Sequence, residues 1–242
     1  MKKNIIYLLV MICTAGFVSA QTTKKVLELP EFKGIYVNSN YTVYLKQTNK
    51  QEVTVEALTE IFAVSEFKVE NGILMINVDR KPDNPNKSLW QKIDDIKLNP
   101  TMKIYVSVKN LNDLQVNGNG KIISENSIAS DYITLGVAGG GSMDVDLKGN
   151  TIKAELSGSG VLTVKGYATS MDAIVSGSGT LDGYNCALET AKAKVSGPGL
   201  CQLNVTNNID ALVLGTGQVK HKGNTKSAQK KIYGSGSVER AY

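Results

Sequence analysis

Leu156-Ser157-Gly158-Ser159-Gly160-Val161-Leu162 is followed nineteen residues later by Val175-Ser176-Gly177-Ser178-Gly179-Thr180-Leu181, and twenty residues after that by Val195-Ser196-Gly197-Pro198-Gly199-Leu200-Cys201. The same Gly-x-Gly signature opens at Gly118, Gly139, Gly158, Gly177, Gly197, Gly215 and Gly234, at intervals of 21, 19, 19, 20, 18 and 19 residues. Such a period identifies stacked, nearly identical units. Two positions before each first glycine stand Val116, Val137, Leu156, Val175, Val195, Val213 and Ile232. Four positions after it stand Ile122, Met143, Leu162, Leu181, Cys201, Val219 and Val238. Both columns are apolar in every copy, while the column between Ala154 and Leu156 and its equivalents is mixed, with Gln115, Gly136, Glu155, Ile174, Lys194, Leu212 and Lys231. This alternation of period two specifies strands. The unit is too short for a propeller blade and lacks helical periodicity, so the sequence predicts an all-β, single-stranded β-helix, or solenoid, of about 19 residues per coil. The glycines then mark one corner, where a Cβ would clash or φ must be positive.

Outward from this stack, residues 24–116 are strand-rich without the glycine spacing. Alternating runs occur at Ile35–Val37, Tyr41–Lys46, Glu52–Ala57, Phe67–Glu70, Ile73–Val78 and Met102–Val108, and Asn71-Gly72 between two of them is a hairpin signal. Val37-Asn38-Ser39-Asn40-Tyr41-Thr42-Val43 aligns with the repeat once both glycines are replaced, which predicts a degenerate outermost coil. Residues 80–100 form an insertion that holds Trp90, with a short helix expected over Ser88–Lys97. The chain divides into a signal peptide (1–20), a strand-rich amino-terminal part (21–110) and solenoid repeats (111–242), the last two expected to be continuous.

Lys2 and Lys3, an apolar run from Ile5 to Phe17 and Val18-Ser19-Ala20 compose the signal peptide. The protein is thus expected to be exported, to the periplasm or cell surface. The formal charge of +5 falls to +3 once Lys2 and Lys3 are removed. So mild a basicity points away from nucleic acid. Cys186 and Cys201 lie nine and four residues past their glycines, in different columns, which favours two buried thiols over a disulfide.

Catalytic and metal chemistry find little support. Asp144 and Asp182 share a column two coils apart, about 10 Å by strand spacing, at the far edge of what glycoside cleavage requires. With Thr163 between them they read as a solvated face. His221 is the sole histidine and, flanked by Lys220 and Lys222, is expected to be exposed. Gly139-Gly140-Gly141-Ser142-Met143-Asp144 approaches the calcium-binding nonapeptide, but Ser142 and Asp146 break the pattern and it occurs once. No cofactor, metal or catalytic residue is expected. Tyr167 and Tyr184 each follow a turn glycine in successive coils and predict an exposed ladder. With Trp90 they are the candidate partner contacts. Lys220, Lys222, Lys226, Lys230 and Lys231 crowd the last coils, where charge blocks edge pairing.

Phe32-Lys33-Gly34-Ile35-Tyr36-Val37, Lys68 to Ile76 and Val108 to Gly120, together with the repeated Ser-Gly-Ser-Gly, resemble the family called putative auto-transporter adhesin, head GIN domain, over roughly residues 30–240. The resemblance implies an exported β-helical protein of Gram-negative bacteria, adhesin-like by analogy, and carries over no catalytic residues. The sequence stops six residues after Gly236 without the long alternating strands of a membrane barrel. Display by another system, or a periplasmic location, is therefore expected. The function read from the sequence is a non-catalytic binding surface, serving adhesion or envelope scaffolding, with an envelope glycan or protein as partner. The alternatives are a carbohydrate-active β-helix enzyme, marked by acids and aromatics in one groove, and a structural protein that self-assembles through the solenoid ends.

Overall fold

The computed structural model describes residues 22–79 and 101–241, so the signal peptide expected over 1–20, Trp90 and the helix expected over Ser88–Lys97 lie outside the described residues. The described chain forms one sheet of 17 strands that winds around a common axis. The amino-terminal strands are β1 (Thr22–Leu27), β2 (Gly34–Asn38), β3 (Thr42–Gln47), β4 (Glu52–Leu58), β5 (Ser65–Glu70), β6 (Ile73–Val78) and β7 (Met102–Val108), with helix α1 (Thr59–Ala63) between β4 and β5. The repeats supply β8 (Asp113–Gly118), β9 (Lys121–Ser124), β10 (Ile128–Gly139), β11 (Ser142–Gly158), β12 (Val161–Gly177), β13 (Thr180–Ser196), β14 (Leu200–Leu214), β15 (Gln218–Lys222), β16 (Ser227–Tyr233) and β17 (Ser237–Arg240).

The glycine period is the coil period. Gly118 pairs with Gly139, Gly139 with Gly158 and Gly158 with Gly177 in parallel register. Every first glycine of the motif has positive φ, between 101° and 129°. The second glycine answers a different demand. A Cβ at Gly160 would stand 2.5 Å from the Gly141 carbonyl oxygen and 2.8 Å from Val137 of the coil before. Coil-to-coil hydrogen bonds run through the corner, with the Gly160 N–H donating to Gly139 O at 2.9 Å and the Gly179 N–H to Gly158 O at 2.9 Å. Inside, the apolar columns found in the sequence are buried from Val116 to Val213 and from Ile122 to Val238, and together they form one continuous aliphatic core.

The intervals of 20 and 18 residues leave a local trace. Thr163 pairs with Asp182 but Gly166 pairs with Cys186, and the register slips again between Gly183 and Ala187 and between Leu188 and Thr190. An extra residue is absorbed as a bulge on one side of the coil, while the glycine corner stays aligned.

The amino-terminal part also contains coils. Val37 pairs with Val116 and Thr42 with Lys121, as the degenerate alignment requires. This coil is not outermost, however. β6 and β7 pair in parallel with the other edges of β2 and β3, so the first coil in sequence lies between two coils that come later. The reason is local: Asn71 and Gly72, with φ of 52° and 76°, turn β5 back antiparallel onto β6, and this hairpin leads the chain to the free edge of β2. Antiparallel β4 and β1 then extend β7 and close that end of the stack.

Candidate binding surface

In a stack with constant register, each outward position becomes a straight row of side chains about 4.8 Å apart. One pair of rows borders a groove of about 550 Å³. The first wall is Thr151, Ser170, Thr190, Asn208 and Ser227, seven positions before the glycines. The second wall includes Asp172, Lys192, Asp210 and Gln229, five positions before them. Met171, Ala191 and Ile209 form the floor between, and all three are buried. Tyr132 stands beyond Thr151 at the head of the first wall, 52% exposed.

The two halves of the groove differ in how their polar groups are used. Ser170 Oγ donates to Thr151 Oγ1 at 3.3 Å and Lys153 pairs with Glu155 at 2.9 Å. Further along, Lys192 lies in register between Asp172 and Asp210 but joins neither in an ion pair, and the side chains of Asn208 and Gln229 make no hydrogen bond among the described residues. These groups are exposed and free to meet a ligand. The repeat alignment contains the signal for this groove, in the hydroxyl and amide column and in the column of alternating charge. What the sequence does not show is that the two columns border one groove.

The residues singled out in the sequence fall elsewhere. Because of the bulge, Tyr167 pairs in register with Ala187 and not with the coil position of Tyr184, so the two tyrosines do not form a ladder. Tyr167 is 54% exposed, whereas the Tyr184 ring is covered by Lys222, whose Nζ lies 5.1 Å from its centroid. Asp144 and Asp182 do share a column across Thr163. Asp144 is bound by Lys165 Nζ at 2.8 Å, and Asp182 accepts the Tyr184 N–H at 3.0 Å, so both have structural employment.

His221 corrects an expectation. It is buried, because the alternation that turns Lys220 and Lys222 outward turns His221 inward against Leu203. Its Nδ1 lies 3.3 Å from Thr225 Oγ1, and its Nε2 has no partner among the described residues. Burial, aided by the nearby charges of Lys230 and Arg240, lowers its pKa below the usual imidazole value. Lys230 occupies the inward column that holds Ala211 one coil earlier, and its Nζ donates to Val238 O at 3.0 Å across the open end. Cys186 and Cys201 are free thiols, each pushed up to about 12 by burial, so they are poorly reactive.

The family model described as "Putative auto-transporter adhesin, head GIN domain" matches residues 31–225. The chain belongs to this family. Solved structures with the same fold include a putative adhesin from Bacteroides fragilis, 22% identical with a TM-score of 0.81, covering 92% of this chain and 98% of that one. A putative lipid binding protein from Parabacteroides distasonis is 20% identical with a TM-score of 0.71, covering 91% and 97%. A putative adhesin from the same species is 22% identical with a TM-score of 0.71, covering 92% and 98%. No functionally curated protein matches the sequence. At these identities the neighbours establish the solenoid fold, and the description of the family suggests an adhesin-like role. Among the described residues no helix is long and apolar enough to cross a membrane.

Proposed function

We propose that this protein is an exported, non-catalytic β-solenoid whose outer rows of side chains bind a partner in the cell envelope or on another cell. One observation carries the reading. The interior is filled by buried aliphatic side chains, while an outer groove aligned with the coil axis is lined by polar side chains, of which Lys192, Asn208, Asp210 and Gln229 make no side-chain bond among the described residues. A rigid parallel stack holds such rows at fixed spacing at little entropic cost on binding. Tyr167, exposed on a neighbouring face, is a further contact candidate, Tyr184 beneath Lys222 a lesser one, and Trp90 in the 80–100 insertion a third.

The enzymatic alternative rests on Asp172 and Asp210, two coils apart in one row. A general acid in glycoside cleavage is normally sheltered from water, whereas both carboxylates are exposed and Lys192 stands between them. Self-assembly through the ends is opposed by Lys230 and Lys231 on the edge strand β16.

The test uses labelled mature chain on intact Gram-negative cells and isolated envelopes, beside a version lacking residues 81–99. Saturable retention supports the reading, and loss on deletion would move the contact to the insertion. Absence of retention on both surfaces overturns it. Release of reducing ends from polysaccharide substrates would favour the enzyme, and a concentration-dependent mass in light scattering would favour assembly.

A further inference from the structure

We infer that the groove between the Thr151–Ser227 row and the Asp172–Gln229 row binds a neutral, polyhydroxylated chain, an oligosaccharide lying parallel to the solenoid axis. This rests on the binding-surface reading and gives it a ligand class.

Four features of the groove select that class. The first is its dimensions. Its first wall crosses five successive coils, about 19 Å at the strand spacing, and its walls stand about 6.6 Å apart along each strand. Its volume of about 550 Å³ suits a few sugar rings laid end to end. The second is the density of hydrogen-bonding groups. Every coil contributes a hydroxyl or amide on one side, and successive coils contribute carboxylate, ammonium, carboxylate and amide on the other. Such alternation of acceptors and donors matches a ligand whose own hydroxyls donate and accept at every unit. It is wasted on an apolar chain.

The third feature is charge. Asp172 and Asp210 flank Lys192, and Lys153 in the same row is paired with Glu155, so the groove offers no excess of positive charge to hold a polyanion such as an acidic polysaccharide or a nucleic acid. The fourth is the backbone. Beneath the groove β11 to β14 are bonded to coils on both sides and only β16, which carries Ser227 and Gln229, has an open edge, so strand addition would seat an extended peptide across the end of the groove and not along it. Tyr132 completes the site. Its exposed ring stands in the first wall, one coil beyond Thr151, where a sugar face can stack against it.

The test is calorimetric titration of the mature chain with hexasaccharides of β-glucan, mannan, xylan and chitin type, with an oligogalacturonate hexamer as the anionic comparison. Three variants accompany it: Asp172→Ala with Asp210→Ala, Tyr132→Ala, and Thr163→Ala on a distant face as control. At least one neutral hexasaccharide is expected to bind and to be recovered intact. Removing both carboxylates is expected to weaken it about tenfold or more, the loss associated with charge-assisted hydrogen bonds. Tyr132→Ala should weaken it about fivefold, the control should leave it unchanged, and all variants should keep the parent melting temperature. Binding of none of the neutral probes, preference for the anionic hexamer, or undiminished binding by the double variant would each overturn the assignment. Cell retention measured on the same double variant separates the two readings. Retention that survives the loss of both carboxylates leaves the adhesive surface standing and removes the groove from it.

Discussion

The repeat coils and the first coil of the amino-terminal part turn the same corner with different residues. In the repeats the corner is Gly-x-Gly. In the first coil Ser39 and Tyr41 stand where Gly118 and Gly120 stand in the next, as the Val37–Val116 and Thr42–Lys121 pairings fix. Tyr41 is nevertheless fully buried. The second glycine is needed where a neighbouring coil presses on the corner, and a Cβ at Gly120 would stand 2.7 Å from both the Ser39 carbonyl oxygen and Val37 of the first coil. In the first coil itself, Tyr41 joins the buried core. Its hydroxyl is 2.9 Å from Ser65 Oγ and its ring packs edge-on against Phe67 at 5.7 Å. Glycine at this corner is therefore a requirement of stacking, imposed by the neighbouring coil.

Substitution can make the two corners alike. Tyr41→Gly installs the repeat residue in the first coil and should cost about 4 kcal/mol in denaturant unfolding, because it empties a large buried site. An unchanged midpoint would show that the corner tolerates either residue. The reverse test is Gly179→Ala. Its Cβ would meet the Gly160 carbonyl at 2.6 Å, which flexible side chains cannot relieve, and a loss of about 3 kcal/mol is expected.

Gly118→Ala refines the distinction between backbone strain and contact. Gly118 has φ of 120°, but a methyl group there would meet nothing within 4 Å, so only the conformational cost remains, about 1 kcal/mol. If Gly118→Ala were as harmful as Gly179→Ala, coil contact would not be the deciding factor.

At the other end of the stack, His221 gives a pH effect. Its folded pKa is lowered, so the unfolded chain binds the extra proton more readily and stability should fall as pH drops through the ordinary imidazole range. His221→Gln should flatten that part of the stability profile, measured by thermal unfolding between roughly pH 7 and pH 5. An unchanged slope would place the titration elsewhere. The smallest effect is Lys222→Ala, about 0.5 kcal/mol, because it removes only the cation above Tyr184.

Much of the fold is legible in the sequence because one demand repeats. Each coil faces the same neighbour, so Leu156, Val175 and Val195 recur in step, and Gly158, Gly177 and Gly197 with them. The order of the amino-terminal coils is not legible, since nothing in Ile73–Val78 distinguishes pairing with β2 from pairing with a later strand. That choice is made by the hairpin and by which edge of β2 is open. The Tyr167–Tyr184 ladder is undone by a single inserted residue, which sequence spacing records without saying where the bulge forms. At His221 the charged neighbours suggest exposure, yet the period-two alternation by itself turns the ring inward, and the alternation prevails. The groove lies in two columns that carry no motif, so nothing in their spacing marks them as its walls.

Interleaving of the first coil constrains the route by which the chain reaches its final form. Both partners of Ile35 and Val37 are synthesised after them, one within Ile73–Val78 and the other within Asp113–Gly118. A chain that emerges amino terminus first must therefore hold this segment unsatisfied until residue 118 is out. The later laps, in contrast, each find a finished surface waiting. Assembly is thus expected to start slowly around a three-lap seed and then run quickly toward the carboxyl end, so that damage to the hairpin at Asn71-Gly72 would delay the whole molecule.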